Sequence, residues 1–188
     1  KVDKAEDVYD LAQSVKWNEH FNVGSNFSVS FAGTNSVINN STFGALTIKD
    51  AIVDQFRLEL NERPNVSKDN PDIRVAAKLS RGVLSLGLDV SGESLHKRGY
   101  RLDKGPAPLK ENLAGALLQL SKWAERSKHS PYFVDPMCGS GTFCIEAAMI
   151  CLDLAPTLHR TKWGFDAWLE HDSRLWGALV LEAEEPCE

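Results

Sequence analysis

A mixed α/β fold in two parts is predicted by three observations. The first half combines a long helical stripe, Thr47 to Leu60, with two β-rich runs, Ile73 to Leu79 and Val83 to Val90. The second half holds a short apolar run, Tyr132 to Val134, that ends at Asp135 and passes through a two-glycine loop into a helical stretch, Phe143 to Leu154. Between the halves, Ser91 to Pro108 carries two prolines and several glycines, the composition of a linker.

Each element has its own warrant. Val8, Leu11, Ala12 and Val15 recur at helical spacing between Ala5 and Val15. Phe27, Val29 and Phe31 alternate within Asn26 to Phe31, the period of a half-buried strand. Polar Thr34 to Ser41 reads as a loop. From Thr47, the residues Ile48, Ala51, Ile52, Phe56 and Leu60 form one apolar stripe, which Arg63-Pro64-Asn65 ends. Ser80-Arg81-Gly82 joins the next two strands as a hairpin turn. Beyond the linker, Leu113, Ala116, Leu117 and Leu120 line one side of a helix from Leu109 to Trp123. After Pro156 come Trp163, Trp168 and Trp176, expected to pack the last helices against the sheet, the final helix running from Glu170 to Glu184. After Val134 no further strand is legible, whereas a doubly wound sheet needs several parallel strands. The second half is therefore expected to be the opening of such a domain, cut before its second strand.

Composition narrows the function. A chain of 188 residues with 43% hydrophobic content can build one ordinary domain or two small ones. No run of about 18 apolar residues exists, so no membrane span is expected. The start, Lys1-Val2-Asp3-Lys4-Ala5-Glu6, is no signal peptide and lacks an initiator Met, as in a piece of a longer protein. A cytoplasmic location is expected. The formal net charge of -5 argues against an overall electrostatic grip on nucleic acid but leaves room for a local basic face. Cys138, Cys144, Cys151 and Cys187 form no C-x-x-C pair and no zinc spacing, so they are expected to be buried, reduced thiols, and no metal is expected.

The loop Asp135-Pro136-Met137-Cys138-Gly139-Ser140-Gly141-Thr142 carries the chemistry. A backbone that bends sharply and approaches a ligand closely calls for residues without a Cβ. A helix N-terminus behind it offers unpaired N–H groups and partial positive charge. The dinucleotide fingerprint G-x-G-x-x-G is not met, because only Gly139 and Gly141 are present. Nor does a Gly-Lys-Ser/Thr follow, so the loop is not a phosphate loop. A bland reading makes it a glycine turn, with Asp135 bonded to loop amides.

The eight residues Asp135 to Thr142 closely resemble motif I of S-adenosylmethionine-dependent methyltransferases, in the branch that modifies RNA guanines. More of the chain agrees. Ser91 to Arg101 is similar to the junction segment of bacterial 23S rRNA guanine-N2 methyltransferases, and Pro108 to Ala114 to the helix before motif I. Ala155 to Arg160, with Trp163-Gly164-Phe165 and Trp168, resembles the longer bifunctional version found in gammaproteobacteria. The resemblance implies a THUMP-like α/β RNA-binding domain over 1–90, truncated at its N-terminus, and a linker over 91–108. It further implies, over 109–188, the first strand and helices of a Rossmann-like methyltransferase domain, itself incomplete. It implies S-adenosyl-L-methionine as cofactor and methyl transfer to guanine N2 in 23S rRNA. Asp135, Pro136, Cys138, Gly139, Ser140, Gly141 and Thr142 would form the cofactor loop, with Thr142 equally readable as a helix cap. The family's catalytic Asn-Pro-Pro-Tyr type of signature occurs nowhere in the 188 residues, so no catalytic residue is assigned and the piece alone is expected to be inactive.

For RNA, the candidates are Lys49, Arg57, Arg63, Arg74, Lys97, Arg98 and Arg101, with Tyr100 as a stacking surface among the last three. A solvated charged face is the plain alternative. Lys110 and Glu111 read as an exposed ion pair, and His96 and His159 as structural histidines. Two other functions stay open: an RNA-binding module without catalysis, and a tRNA guanine methyltransferase.

Overall fold

The computed structural model of the protein describes residues 1–101, 108–158 and 160–185. His159, Cys187 and part of the linker, 102–107, lie outside the described residues. The mixed α/β class is observed. Contacts divide the chain into two compact units, one of Lys1–Gly92 with Lys162–His171, the other of Glu93–Thr161 with Asp172–Glu188.

In the first unit, α1 (Glu6–Gln13) and α2 (Ser41–Leu60) pack on a three-stranded sheet of β1 (Phe27–Ala32), β2 (Ile73–Ser80) and β3 (Val83–Leu88). The order is β1-β2-β3. β1 runs parallel to β2, with Phe27 opposite Ile73 and Val29 opposite Val75, and α2 supplies the crossover that a parallel pair requires. β2 and β3 are antiparallel. Their turn places both Arg81 (φ 51) and Gly82 (φ 74) in the left-handed region, the conformation whose twist matches a two-residue hairpin. Period-2 alternation buries Ile73, Val75, Ala77 and Leu79 of the central strand and turns Arg74, Ala76, Lys78 and Ser80 to the other face. Above them, the Phe21 ring lies 5.1 Å from Phe56 and 5.7 Å from Phe27. Gln55 is also buried and bonds three backbone groups: it accepts from Trp17 N at 2.7 Å and donates to Gln13 O at 3.0 Å and Val15 O at 2.8 Å.

α2 begins six residues earlier than its apolar stripe suggested. Asn40 caps it, its Oδ1 accepting from Thr42 N at 2.8 Å, and Gly44 lets the first turn sit directly on Phe31. Ser, Thr and Gly in that turn hide it from a propensity reading, but the cap and the packing stabilise it.

Residues 162–171 are built into this first unit. Leu169 N donates to His20 O at 2.9 Å, Lys162 pairs with Asp72 at 3.1 Å, and Ala167 packs on the core. Trp163 stacks on Phe165 at 5.5 Å within the segment. Two of the three tryptophans expected on the last helices, Trp163 and Trp168, thus belong here. Gly164 is buried against backbone: a Cβ on it would lie 2.2 Å from Asp89 O and 2.7 Å from Gly92 N. Gly164→Ala is expected to destabilise the first unit by about 1–3 kcal/mol through overpacking, read as faster amide exchange in β2 and β3. Unchanged protection there would show that the segment does not support the sheet.

The second unit contains α3 (Glu111–Leu120), α4 (Trp123–Arg126), α5 (Thr142–Cys151) and α6 (Ser173–Glu184). Its core is small: Leu118, Trp123 and Ala147, joined by Phe133, Phe143 and Ile150. Trp123 Nε1 donates to Ala147 O at 3.0 Å and ties α4 to α5. The single helix expected over Leu109 to Trp123 is broken, because Lys122 adopts a left-handed conformation (φ 57) that starts α4. Asp172 caps α6 by accepting from Arg174 N and Leu175 N, both at 3.0 Å, which moves its start from the expected Glu170 to Ser173.

Two expectations are corrected here. Tyr132 to Val134 forms no strand, since no strand among the described residues lies alongside to take its backbone hydrogen bonds. Only Phe133 turns inward, while Tyr132 and Val134 are more than four-fifths exposed. Cys138, Cys144 and Cys151 are exposed rather than buried, because they lie on the loop and the outer side of α5.

Candidate functional site

The loop predicted to be chemical is a tight turn that opens α5. Gly139 (φ 54) and Gly141 (φ 76) both take the left-handed conformation, where a side chain would be strained. Gly141 N closes the turn on Cys138 O at 2.8 Å, and Gly141 is the residue before the first helical one. Thr142 therefore does not cap the helix. Asp135 Oδ1 accepts from Met137 N at 3.0 Å, so one carboxylate oxygen stiffens the loop. The amides of Gly139, Ser140, Thr142, Phe143 and Cys144 meet no acceptor among the described residues. Loop and first turn together offer a row of free N–H groups beside a half-buried carboxylate. That arrangement suits a ligand carrying both an anionic and a cationic group. Pro136, Cys138, Gly139 and Ser140 are exposed on its open side.

Behind the loop lies a buried charged network that the sequence did not disclose. Arg101 Nε bonds Glu111 Oε1 at 2.9 Å, with both side chains about a tenth exposed or less. The same guanidinium donates from Nη2 to Leu109 O at 2.8 Å and to Thr142 Oγ1 at 2.9 Å, and from Nη1 to Ser140 Oγ at 3.2 Å. One turn deeper, Tyr100 Oη donates to Glu146 Oε1 at 2.9 Å. Arg98 pairs with the same carboxylate at 3.5 Å, an ion pair without a hydrogen bond from Nε. Gly115 of α3 makes room: a Cβ there would lie 3.3 Å from Glu146 Oε2.

Burial alone pushes the Glu111 carboxyl up, but its own backbone N–H and the Arg101 guanidinium outweigh that and hold it below the ordinary range. Burial, then the hydrogen bond to Glu146 and its charge, push the Tyr100 phenol well above its usual value. Glu111 is thus buried on Arg101, and the exposed Lys110–Glu111 pair expected from sequence is not formed. One signal for this network was available. Glu146 is the sole charge in the otherwise apolar run Phe143 to Cys151, and a buried helix tolerates such a residue only with a partner.

The RNA candidates fall into two groups. Lys49 and Arg57 lie on α2, paired with Asp50 and, at 3.5 Å, with Asp54. Arg63 is exposed just after α2, and Arg74 is half-buried on the sheet face away from the core. In the second unit Lys97 is exposed and pairs with Glu93 at 3.1 Å. Arg98, Tyr100 and Arg101 are turned inward in the network described above. His96 is half-buried. Among the described residues no helix is long and apolar enough to cross a membrane.

Comparison with known proteins agrees with this architecture. A THUMP domain model matches residues 2–89, and a model described as RMKL-like, methyltransferase domain, matches residues 98–186. The ribosomal RNA large subunit methyltransferase K/L of Pseudoalteromonas atlantica is 50% identical over 182 residues, 97% of this chain and 26% of that protein. Its counterpart from Pseudomonas aeruginosa is 48% identical over 184 residues, 98% of this chain and 25% of that protein. The chain spans about a quarter of the length of these curated relatives. Among solved structures, a predicted N6-adenine-specific DNA methylase from Listeria monocytogenes superposes with a TM-score of 0.81 at 28% identity, covering 98% of this chain and 47% of that one. SMU.472, assigned as a methyltransferase and complexed with SAH, gives 0.74 at 29% identity, with 96% and 47% covered.

Proposed function

We propose that the chain, whose residues 98–186 match the RMKL-like methyltransferase domain and whose residues 2–89 match a THUMP domain, is the RNA-binding and cofactor-loop portion of an S-adenosylmethionine-dependent enzyme that methylates guanine N2 in 23S rRNA. The observation that carries the reading is the row of unbonded amides from Gly139 into α5, beside Asp135. The amides match the carboxylate of the cofactor's methionine part, and Asp135 matches its ammonium group. Asp135, Gly139, Ser140 and Gly141 form that site, with Pro136, Cys138 and Thr142 shaping it.

The reaction needs little acid–base help from this part of the chain. A sulfonium methyl is already activated, and what a protein adds is orientation of the methyl against the amine. A guanine in structured RNA must leave its stack to reach such a site, and a pocket has to hold the flipped base. No catalytic residue is assigned among the 188 residues, and the loop from Asp135 to Thr142 is assigned to bind and orient the cofactor. We assign RNA contact to Lys49, Arg57, Arg63, Arg74 and Lys97, and an internal role to Arg98, Tyr100 and Arg101, whose charges are matched by Glu146 and Glu111. A cytoplasmic location fits an enzyme acting on ribosomal RNA.

The full-length protein is expected to transfer label from S-adenosylmethionine to unmodified large-subunit RNA. Nuclease digestion of the product should release N2-methylguanosine. Label on tRNA and none on large-subunit RNA would defeat the substrate assignment. A second reading, an RNA-binding module without catalysis, is favoured for the 188 residues alone by the backbone of Tyr132 to Val134, which pairs with no strand among the described residues. Under that reading they bind RNA and transfer no methyl group.

A further inference from the structure

We propose that Arg101 is a positioning residue for the cofactor: it sets the polarity of the Thr142–Ser140 hydroxyl pair so that Ser140 presents its hydrogen to the carboxylate of the bound amino-acid moiety. The inference rests on the cofactor reading above and adds to it a residue that lies outside the loop, 34 positions before Asp135 by their numbers.

The argument begins with valence. A guanidinium has five donors and no acceptor. Ser140 Oγ at 3.2 Å and Thr142 Oγ1 at 2.9 Å must therefore both accept from Arg101. The two hydroxyls lie 3.4 Å apart. Thr142 is buried, and Ser140 Oγ is the one acceptor its hydroxyl meets among the described residues. Leaving that hydrogen unpaired is costly, so it is donated to Ser140. Ser140 then receives a donor on each lone pair, and its own hydrogen is left facing the open side of the loop. A hydroxyl fixed as a donor, next to the free amides of Gly139 and the first turn of α5, selects an anionic acceptor.

Arg101 does not itself reach for the ligand. Glu111 holds its Nε at 2.9 Å and Leu109 O holds Nη2 at 2.8 Å, and its side chain is about one-tenth exposed. The guanidinium is thus locked behind the hydroxyls.

The test uses the full-length enzyme and two probes: S-adenosylhomocysteine, and methylthioadenosine, which keeps the nucleoside and sulfur but has no amino-acid carboxylate. The variants are Ser140→Ala, at an exposed position, and the pair Arg101→Gln with Glu111→Gln, which removes both charges so that neither is left buried alone. Calorimetry is expected to show each variant weakened about tenfold toward S-adenosylhomocysteine, the effect of one charge-assisted hydrogen bond. Methylthioadenosine affinity should stay unchanged, and combining all three substitutions should weaken S-adenosylhomocysteine no further. Equal losses for both probes would overturn the inference, since they would mean a general collapse of the loop. Unchanged S-adenosylhomocysteine affinity would overturn it as well. Both of those results leave the cofactor reading standing. If the unaltered enzyme fails to bind S-adenosylhomocysteine, the cofactor reading falls and takes this inference with it.

Discussion

Glu111→Ala is expected to destabilise the second unit by about 3–5 kcal/mol, because it leaves the buried Arg101 guanidinium without its counter-charge. The carboxylate is about 7% exposed and Arg101 about 11%, so water cannot replace the lost partner cheaply. The effect should appear as faster amide exchange in α3 and α5, with the sheet of the first unit unaffected. Glu111→Gln keeps the shape and one acceptor and should cost less, about 1.5–3 kcal/mol, the value of a hydrogen bond to a charged group. Acid should mimic the substitution. The folded-state pKa of Glu111 lies below its ordinary value, so its contribution is complete at neutral pH. That contribution is lost as pH falls from about 4.3 through the lower folded value. The unaltered second unit is therefore expected to loosen in that window, while Glu111→Gln, already lacking the charge, shows a smaller acid loss. Identical acid profiles for the two proteins would contradict the assigned role of the pair.

Gln55→Leu is expected to cost the first unit about 3 kcal/mol or more. Leucine has similar volume, so the loss is not one of packing. It strands Trp17 N, Gln13 O and Val15 O, three backbone groups that Gln55 serves from within the core. An unsatisfied buried polar group costs about 1–3 kcal/mol, and water can relieve only the more exposed of the three. The urea midpoint of the first unit should fall with little change in slope. A loss below about 0.5 kcal/mol, the scatter of ordinary surface substitutions, would show that Trp17 N, Gln13 O and Val15 O find other partners.

Both predictions turn on buried polar residues, and these were the least legible from sequence. Gln55 stands within an apolar stripe, where periodicity treats it as a neutral filler. Arg101 and Glu111 read as surface charges, because most arginines and glutamates are. What put them inside is a contact between residues ten and more than forty positions apart, Arg101 with Glu111 and Thr142, which no local pattern encodes. The exposed strand-like run Tyr132 to Val134 misled for a related reason. A strand is defined by its neighbour, and sequence describes only the residue itself.

Local rules did suffice elsewhere. The alternation of Ile73 to Leu79 fixed which face of β2 is buried, because successive side chains must point to opposite sides. Arg81-Gly82 marked the hairpin because that turn needs left-handed backbone. Gly139 and Gly141 marked the loop before α5 for the same reason. From its residues alone, then, the three strands of the first unit, the body of α2, the hairpin, the glycine loop and the family they resemble were legible, since each follows from backbone sterics and side-chain period within a few residues. Tertiary structure alone decided that residues 162–171 pack with the first half and that Arg101 stands behind Ser140 and Thr142. Burial and ion pairing depend on which distant segments meet, and that is a property of the folded chain as a whole.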